Sequence, residues 1–218
     1  MQLKKINPNL QKALIEAGLS EARELINDTF STVKSGADCV ISSAKGSGKT
    51  TLLVISTIQK LQKAEGESTR ALIVVESKEK VLEVMALFSE YAKYTDLRII
   101  GVNDKTDIDE EKNQISVGMD IIVGTPHKIN ALFSTAGFNL TTIRFFAVDD
   151  SEVIFKNRLD AVILRLAMSV SKTQYVFACT QITERVEILA DKIMLEPLFF
   201  EPDDEDSDED EEHDGEEE

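Results

Sequence analysis

Short apolar runs alternate with longer amphipathic stretches along most of this chain. The runs cover residues 38–42, 71–75, 97–102, 119–123, 143–148 and 174–179. The stretches between them cover residues 49–63, 78–93, 106–116, 126–135, 153–170 and 183–193. Continuous apolar runs are typical of strands buried on both faces of a parallel sheet, and apolar residues at helical spacing predict helices. The alternation therefore predicts βαβ units in one three-layer α/β domain with a mostly parallel central sheet.

Two helices are predicted ahead of the first strand. The first begins at Pro8 and stops at Gly18, and its apolar residues recur at helical spacing. The second is capped by Ser20 and stops at Gly36. At the other end of the chain, the apolar run 198–200 predicts an additional edge strand.

The net charge of −16 is concentrated at the C-terminus, where residues 201–218 hold 14 acidic side chains and no lysine or arginine. The other residues carry 26 acids and 24 bases, so the body of the chain is nearly neutral. We expect the tail to be disordered because it has no apolar surface to bury. The predicted organisation is a folded domain over residues 1–200 and an acidic tail over residues 201–218.

Cysteine and histidine usage argues against several classes of protein. Cys39 and Cys179 both fall in predicted buried strands, where thiols pack as small apolar groups. His127 and His213 are far apart, so neither a disulfide framework nor a histidine metal centre is indicated. The sequence has no apolar run long enough to span a membrane and no secretory signal near its start. We therefore expect a cytoplasmic protein with no membrane partner.

Residues 43–50 form a glycine-containing octet between a predicted strand and a predicted helix. They read Ser43, Ala44, Lys45, Gly46, Ser47, Gly48, Lys49 and Thr50. The octet matches the phosphate-binding P-loop pattern Gly-x-x-x-x-Gly-Lys-Ser/Thr, except that Ser43 replaces the first glycine. Backbone amides at a helix N-terminus attract anions, so the octet predicts a triphosphate site with Lys49 on the phosphates. The alternative is a glycine-rich turn that binds no ligand.

The apolar run 143–148 ends in Asp149, 100 residues after Lys49. In a P-loop protein, an aspartate at the end of such a strand holds a magnesium ion through water, and Thr50 would supply a hydroxyl to the same ion. The alternative is a strand that runs into an acidic turn or a capped helix. Beside a P-loop, we favour the metal interpretation.

Five short motifs occur in an order that matches a known family. Residues 43–50 fall on Ala-x-Thr-Gly-Ser-Gly-Lys-Thr, 76–80 on Pro-Thr-Arg-Glu-Leu, 124–128 on Gly-Thr-Pro-Gly-Arg, 149–152 on Asp-Glu-Ala-Asp, and 178–180 on Ser-Ala-Thr. Across roughly residues 8–200, the chain resembles the first RecA-like domain of DEAD-box RNA helicases. The resemblance implies a RecA-like P-loop NTPase fold that binds ATP, Mg²⁺ and RNA.

The resemblance also implies roles for individual residues. Asp150 stands at the position of the catalytic glutamate that orients the attacking water. RNA phosphates would be held at the positions of Ser77, Lys78, Thr125 and Lys128. Thr180 belongs to the motif that couples the nucleotide state to RNA binding. For Lys78, Lys80 and Lys128, the alternative interpretation is a solvated helix face.

Four departures from the family pattern bear on activity. Asp150 is one methylene shorter than glutamate, and a general base must lie within about 3 Å of its proton. Ala178 lacks the hydroxyl of the family's serine, and residues 25–27 contain no glutamine to read adenine. The sequence holds no second RecA-like domain, which supplies arginine fingers in comparable enzymes. We expect a protein partner to supply that second lobe.

The main hypothesis is a degenerate DEAD-box-like module that binds ATP, Mg²⁺ and RNA, with weak or partner-dependent hydrolysis and no unwinding alone. The first alternative is a catalytically inactive scaffold that binds RNA or protein. A P-loop kinase is a weaker alternative, because the chain's arginines form no clear basic lid. The tail either solubilises the chain or mimics RNA and competes for its basic surface.

Overall fold

The computed structural model describes residues 6–19 and 24–202. A seven-stranded sheet lies at its centre. The strands are β1 (Cys39–Ser42), β2 (Ala71–Val74), β3 (Ile99–Val102), β4 (Ile121–Gly124), β5 (Phe145–Val148), β6 (Gln174–Cys179) and β7 (Leu198–Phe200). Their order is β3-β4-β2-β5-β6-β1-β7, and every neighbouring pair is parallel. The α/β class predicted from the sequence is confirmed, and the sheet is parallel throughout.

Nine α-helices lie in the described part of the chain. They are α1 (Pro8–Glu16), α2 (Glu24–Ser35), α3 (Lys49–Leu61), α4 (Lys78–Tyr91), α5 (Ile108–Ser116), α6 (Pro126–Ser134), α7 (Ser151–Lys156), α8 (Asp160–Ala167) and α9 (Glu184–Ile193). None of these helices is long and apolar enough to cross a membrane.

The core is divided by the sheet into two apolar clusters. Strand residues alternate between them: Ala71 and Ile73 of β2 pack with one cluster, and Leu72 and Val74 pack with the other. Helices α1 to α4 cover the first cluster, and α5 to α9 cover the second. Because successive side chains of a strand point to opposite faces, burial on both faces makes every position of β2 apolar.

One predicted helix is divided in the structure. The amphipathic stretch 153–170 forms α7 and α8 instead of a single helix. Arg158, between them, has a φ of 63° in the left-handed region, which an α-helix cannot contain. The predicted stops at Gly18 and Gly36 agree with the structure, where both glycines have a positive φ. The predicted cap Ser20, and the tail beyond residue 202, lie outside the described residues.

The sheet order places the five motifs at one edge. The motifs follow β1, β2, β4, β5 and β6, which are five adjacent strands in the order β4-β2-β5-β6-β1. The pairing register aligns the last residues of β2, β4 and β5, and it sets Ser42 beside Cys179. In open parallel sheets, ligands bind at the carboxyl ends of the strands. The fold therefore brings the motifs to the edge where such a site is expected.

Candidate functional site

The octet 43–50 forms a tight loop after β1 and the first two residues of α3, between a strand and a helix as the sequence predicts. Gly46 and Gly48 adopt φ values of 83° and 104°, which side chains with a Cβ adopt only at a cost. Gly48 is the N-cap of α3, and no side chain caps that helix end. The first amides of α3 are therefore not blocked by a capping side chain, and such amides attract anions.

Lys49 is the first residue of α3, and its side chain reaches back to this loop. Its Nζ donates hydrogen bonds to the carbonyl oxygens of Ser43 and Ala44, the latter at 2.8 Å. Burial lowers the pKa of the Lys49 ammonium, although the carboxylates of Asp150 and Asp149 act in the opposite direction. The lysine is thus a positive group held at the centre of the loop, where the motif requires one.

Thr50 and Asp149 meet although they are 99 residues apart in sequence. Thr50 Oγ1 donates to Asp149 Oδ2 at 2.6 Å, and Asp149 is fully buried. Burial is the largest influence on Asp149 and raises its pKa to about 6. Its other oxygen, Oδ1, has no hydrogen-bond partner among the described residues. An unpartnered carboxylate oxygen beside a hydroxyl fits magnesium, which prefers oxygen ligands and uses few protein groups.

The acidic motif 149–152 contacts the motif at the end of the neighbouring strand, β6. Asp150 is the N-cap of α7 and has a φ of 48°, a left-handed conformation that aspartate tolerates better than most residues. Glu152 Oε1 accepts hydrogen bonds from the Thr180 amide at 2.8 Å and from the Thr180 hydroxyl. The motifs at 149–152 and 178–180 are therefore joined directly through side chains.

Lys80 is a residue of the site that sequence reasoning missed. Its Nζ lies 3.5 Å from Asp149 Oδ2, 3.5 Å from Asp150 Oδ2 and 3.4 Å from Glu83 Oε2. Burial alone would lower its pKa, but the three carboxylates raise the pKa above its ordinary value. The position of Lys80 in the sequence could have indicated this contact. Lys80 belongs to the motif that follows β2, and β2 pairs with β5, the strand directly before Asp149.

The four residues proposed to contact RNA lie after β2 and β4. Ser77 caps α4 and accepts from the Lys80 amide at 3.2 Å. Lys78 is half-buried and has no ion pair in the described part of the chain. Thr125 is buried at the N-cap of α6, and its hydroxyl donates to Asp104 Oδ2 at 3.1 Å.

Lys128 is also buried. Its Nζ donates to the carbonyl oxygen of Thr106 and lies 2.8 Å from Glu111 Oε2, and both side chains of this pair are shielded from solvent. The alternative of a solvated helix face is therefore wrong for Lys128, and the three carboxylates around Lys80 make it wrong there too. For Lys78, the contact with RNA stays a prediction.

Four of the five motifs line one open cleft of about 650 Å³. Its walls include the P-loop residues Lys45 to Thr50 except Ser47, the segment 76–80 except Lys78, and Asp150, Glu152 and Thr180. The lining residues do not include Thr125 or Lys128 of the fifth motif. The cleft thus combines Lys49, Thr50 and a set of acidic side chains, while Asp149 does not line it and lies buried against Thr50.

Comparison with known proteins agrees with this geometry. The DEAD/DEAH box helicase family model matches residues 24–188. The chain is 26% identical over 178 residues to ATP-dependent RNA helicase dbp10 of Schizosaccharomyces pombe, covering 80% of this chain and 21% of that protein. It is 24% identical over 208 residues to ATP-dependent RNA helicase uap56 of the same yeast, covering 92% and 47%.

A plant relative, DEAD-box ATP-dependent RNA helicase 56 of Arabidopsis thaliana, is 25% identical over 208 residues, covering 92% of this chain and 48% of its own. The chain therefore spans between about a fifth and a half of the length of these relatives. The family model covers most of the sequence, including all five motifs. The chain belongs to the DEAD/DEAH box helicase family.

Proposed function

We propose that this chain is an ATP-binding module of the DEAD-box type. It binds ATP with Mg²⁺ and contacts RNA, hydrolyses ATP weakly or with the help of a partner, and does not unwind duplexes alone. The observation that carries the proposal is the hydrogen bond between Thr50, which lines the cleft beside Lys49, and the buried carboxylate of Asp149. A glycine turn without a ligand would not require a buried lysine and a buried aspartate at this place.

Each side chain of the cleft has a role in this proposal. Lys49 exchanges the loop carbonyls for phosphate oxygens, and the α3 amides donate to the same phosphates. Thr50 and Asp149 would hold Mg²⁺, which would supply positive charge to offset the charge that develops on the phosphoryl oxygens. Asp150 orients the attacking water, and its short side chain supports slow hydrolysis. Glu152 and Thr180 connect this site to the end of β6.

RNA binding is proposed for the part of the same sheet edge that follows β2 and β4. Ser77, Lys78 and Thr125 offer hydroxyl and ammonium donors of the kind that hold phosphates, without selecting a base sequence. Lys128 joins them only if its ammonium leaves Glu111. The arginine fingers of a second lobe are proposed to come from a protein partner. The cytoplasm remains the proposed location, because the two buried cysteines are unpaired, as in reducing compartments.

Nucleotide affinity tests the proposal. The Kd for ATP and ADP is measured with Mg²⁺ for the wild-type chain, Lys49→Ala and the control Lys63→Ala, which changes an exposed lysine outside the cleft. We expect Lys49→Ala to weaken binding by about 100-fold, the loss of a charge-assisted contact, and Lys63→Ala to have no effect. In a thermal-shift assay, ATP at 100 times its Kd should stabilise the wild type by about 2.7 kcal/mol. Equal binding by wild type and Lys49→Ala, or none by either, contradicts the proposal.

The scaffold is the second candidate function, favoured by Asp150 and Ala178 at positions where the family has glutamate and serine. In that case ATP turnover should stay flat when RNA is added at saturating ATP. RNA-stimulated turnover that is lost in Lys49→Ala would instead support the enzymatic proposal.

A further inference from the structure

Lys80 places a positive charge among the carboxylates of the proposed metal site. Its ammonium is shared by Asp149, Asp150 and Glu83 at 3.4 to 3.5 Å, and its side chain is only 17% exposed. The family motif that aligns with residues 76–80 ends in leucine, which carries no charge. The lysine is therefore a feature of this chain that the family pattern does not require.

The position of Lys80 would bring its ammonium close to a divalent cation bound at Asp149. The atom of Asp149 that Lys80 approaches is Oδ2, and this oxygen also accepts the Thr50 hydroxyl proposed for the metal. An ammonium and a divalent ion repel each other, so each weakens the binding of the other to the Asp149 carboxylate. A metal ion held at the unpartnered Oδ1 therefore favours a shift of Lys80 away from Asp149.

Lys80 has a place to go when it leaves. Glu83 lies one turn further along α4, its side chain is 55% exposed, and its Oε2 already contacts the lysine. The flexible four-carbon stem of lysine allows its ammonium to move by several ångströms without a change in the backbone. Glu83 can therefore keep the lysine paired while the two aspartates hold a metal.

We propose that the ammonium of Lys80 partly neutralises the carboxylates of Asp149 and Asp150 in this site. It thereby supports triphosphate binding in the absence of magnesium, and it competes with magnesium for Asp149. This inference rests on the proposed nucleotide function. The phosphates of ATP are repelled by bare carboxylates, so some cation must offset them. In this chain the ammonium of Lys80 fills part of that role, and ATP binding depends less on Mg²⁺ than it would with leucine at position 80.

The ratio of the Kd for ATP in EDTA to the Kd in Mg²⁺ tests this role. We expect a ratio of only a few in the wild type and a ratio about tenfold larger in Lys80→Leu, the effect of one lost charge contact. Lys80→Gln removes the same charge but keeps a polar side chain, so it should behave like Lys80→Leu. The control Lys93→Leu removes a lysine that pairs with Glu16 at 2.7 Å, away from the cleft, and should keep the wild-type ratio.

A second measurement separates this inference from the proposed function. Mn²⁺ binding to the nucleotide-free chain, followed by electron paramagnetic resonance, should be about tenfold tighter in Lys80→Leu and Lys80→Gln than in the wild type. Equal ratios of ATP affinity in wild type and both variants overturn the role of Lys80 in nucleotide binding. If the wild type binds no ATP, the proposed function fails, and equal Mn²⁺ affinities would then overturn the competition with a metal as well.

Discussion

Asp149 is the residue on which the charges of this site converge. It is fully buried, and the isolation from water raises its pKa to about 6. A buried carboxylate is costly unless it is paired, and here Thr50 and Lys80 each satisfy Oδ2 while Oδ1 has no partner among the described residues. A cation bound at Oδ1 would therefore lower the free-energy cost of burying the Asp149 carboxylate. Because such a cation binds the folded state, it would also increase the free energy of unfolding.

Gly46→Ala should weaken ATP binding through the backbone of the loop. A Cβ at Gly46 meets no atom within 4 Å, so the cost comes from its φ of 83°. Gly18 has a φ of 75° and equally open surroundings, at the end of α1, and it is the matched control. Both alanine variants should lose about 1–2 kcal/mol of stability in urea denaturation. Only Gly46→Ala should raise the Kd for ATP, and an unchanged Kd would show that the loop tolerates another conformation.

Asp150→Glu should increase ATP hydrolysis. The added methylene moves the carboxylate towards the water that it is proposed to orient, and small displacements of a catalytic group change rates strongly. We expect turnover to rise about tenfold, while the left-handed φ of 48° makes the variant slightly less stable than the wild type. Asp150→Asn should reduce turnover. Similar single-turnover rates for the wild type, Asp150→Glu and Asp150→Asn would remove Asp150 from the mechanism.

At the scale of elements, the fold was predictable because burial on both faces makes the strands continuously apolar. Each of the six predicted runs overlaps one strand, and the octet was recognisable because its residues are contiguous. The division of 153–170 at Arg158 was not predictable, since apolar spacing continues across the break. The surroundings of Lys80 and Lys128 were missed because Asp149, Asp150 and Glu111 come from other segments of the chain, and only the fold brings them to these lysines.

At the amino ends of the strands, opposite the cleft, three adjacent strands are joined by a buried ionic cluster. Arg70, Arg98 and Asp120 each precede a strand, and these three strands are adjacent in the order β3-β4-β2. Asp120 lies in the middle, 2.6 Å from Arg70 Nη2 and 2.9 Å from Arg98 Nε, and its side chain is fully buried. Burial would raise the pKa of Asp120, but hydrogen bonds from Arg98 and Arg70 hold it below its ordinary value.

Asp120→Asn should destabilise the domain by about 3–5 kcal/mol, because the buried Arg70 loses its buried carboxylate partner and, among the described residues, keeps only the exposed Glu65 as an ionic partner. Since the folded pKa of Asp120 is lowered, its contribution is present above the unfolded pKa and is lost as pH falls through the folded value. The difference between wild type and variant in urea denaturation should therefore be full at pH 7 and shrink at pH values below about 4. Asp109→Asn, which removes an exposed partner of Lys112, should change little.

At the scale of the whole molecule, stability and function lie at opposite edges of one sheet. The amino ends of three strands are tied together by Asp120, and the carboxyl ends of five strands carry the motifs. A change at one edge can therefore alter stability without touching the cleft. The acidic tail is a third part of the molecule, and it holds 14 of the 40 acidic side chains.

Removing residues 201–218 tests whether the tail competes with RNA. The cut leaves all of β7, which pairs with β1, so the sheet is preserved. The remaining chain, with 26 acids and 24 bases, repels RNA less than the full chain. If the tail occupies the RNA surface, the truncated chain should bind a single-stranded RNA about tenfold more tightly at low salt, measured by fluorescence anisotropy.

Two comparisons decide what such a gain would mean. A full-length chain whose tail acids are replaced by glycine and serine keeps the length of the tail and removes its charge, so it should behave like the truncated chain. The advantage of both variants should shrink as salt is raised, because ions screen exposed charges beyond about 8–10 Å. An RNA affinity that is the same with and without the acids, at every salt concentration, would leave the tail as a solubilising segment.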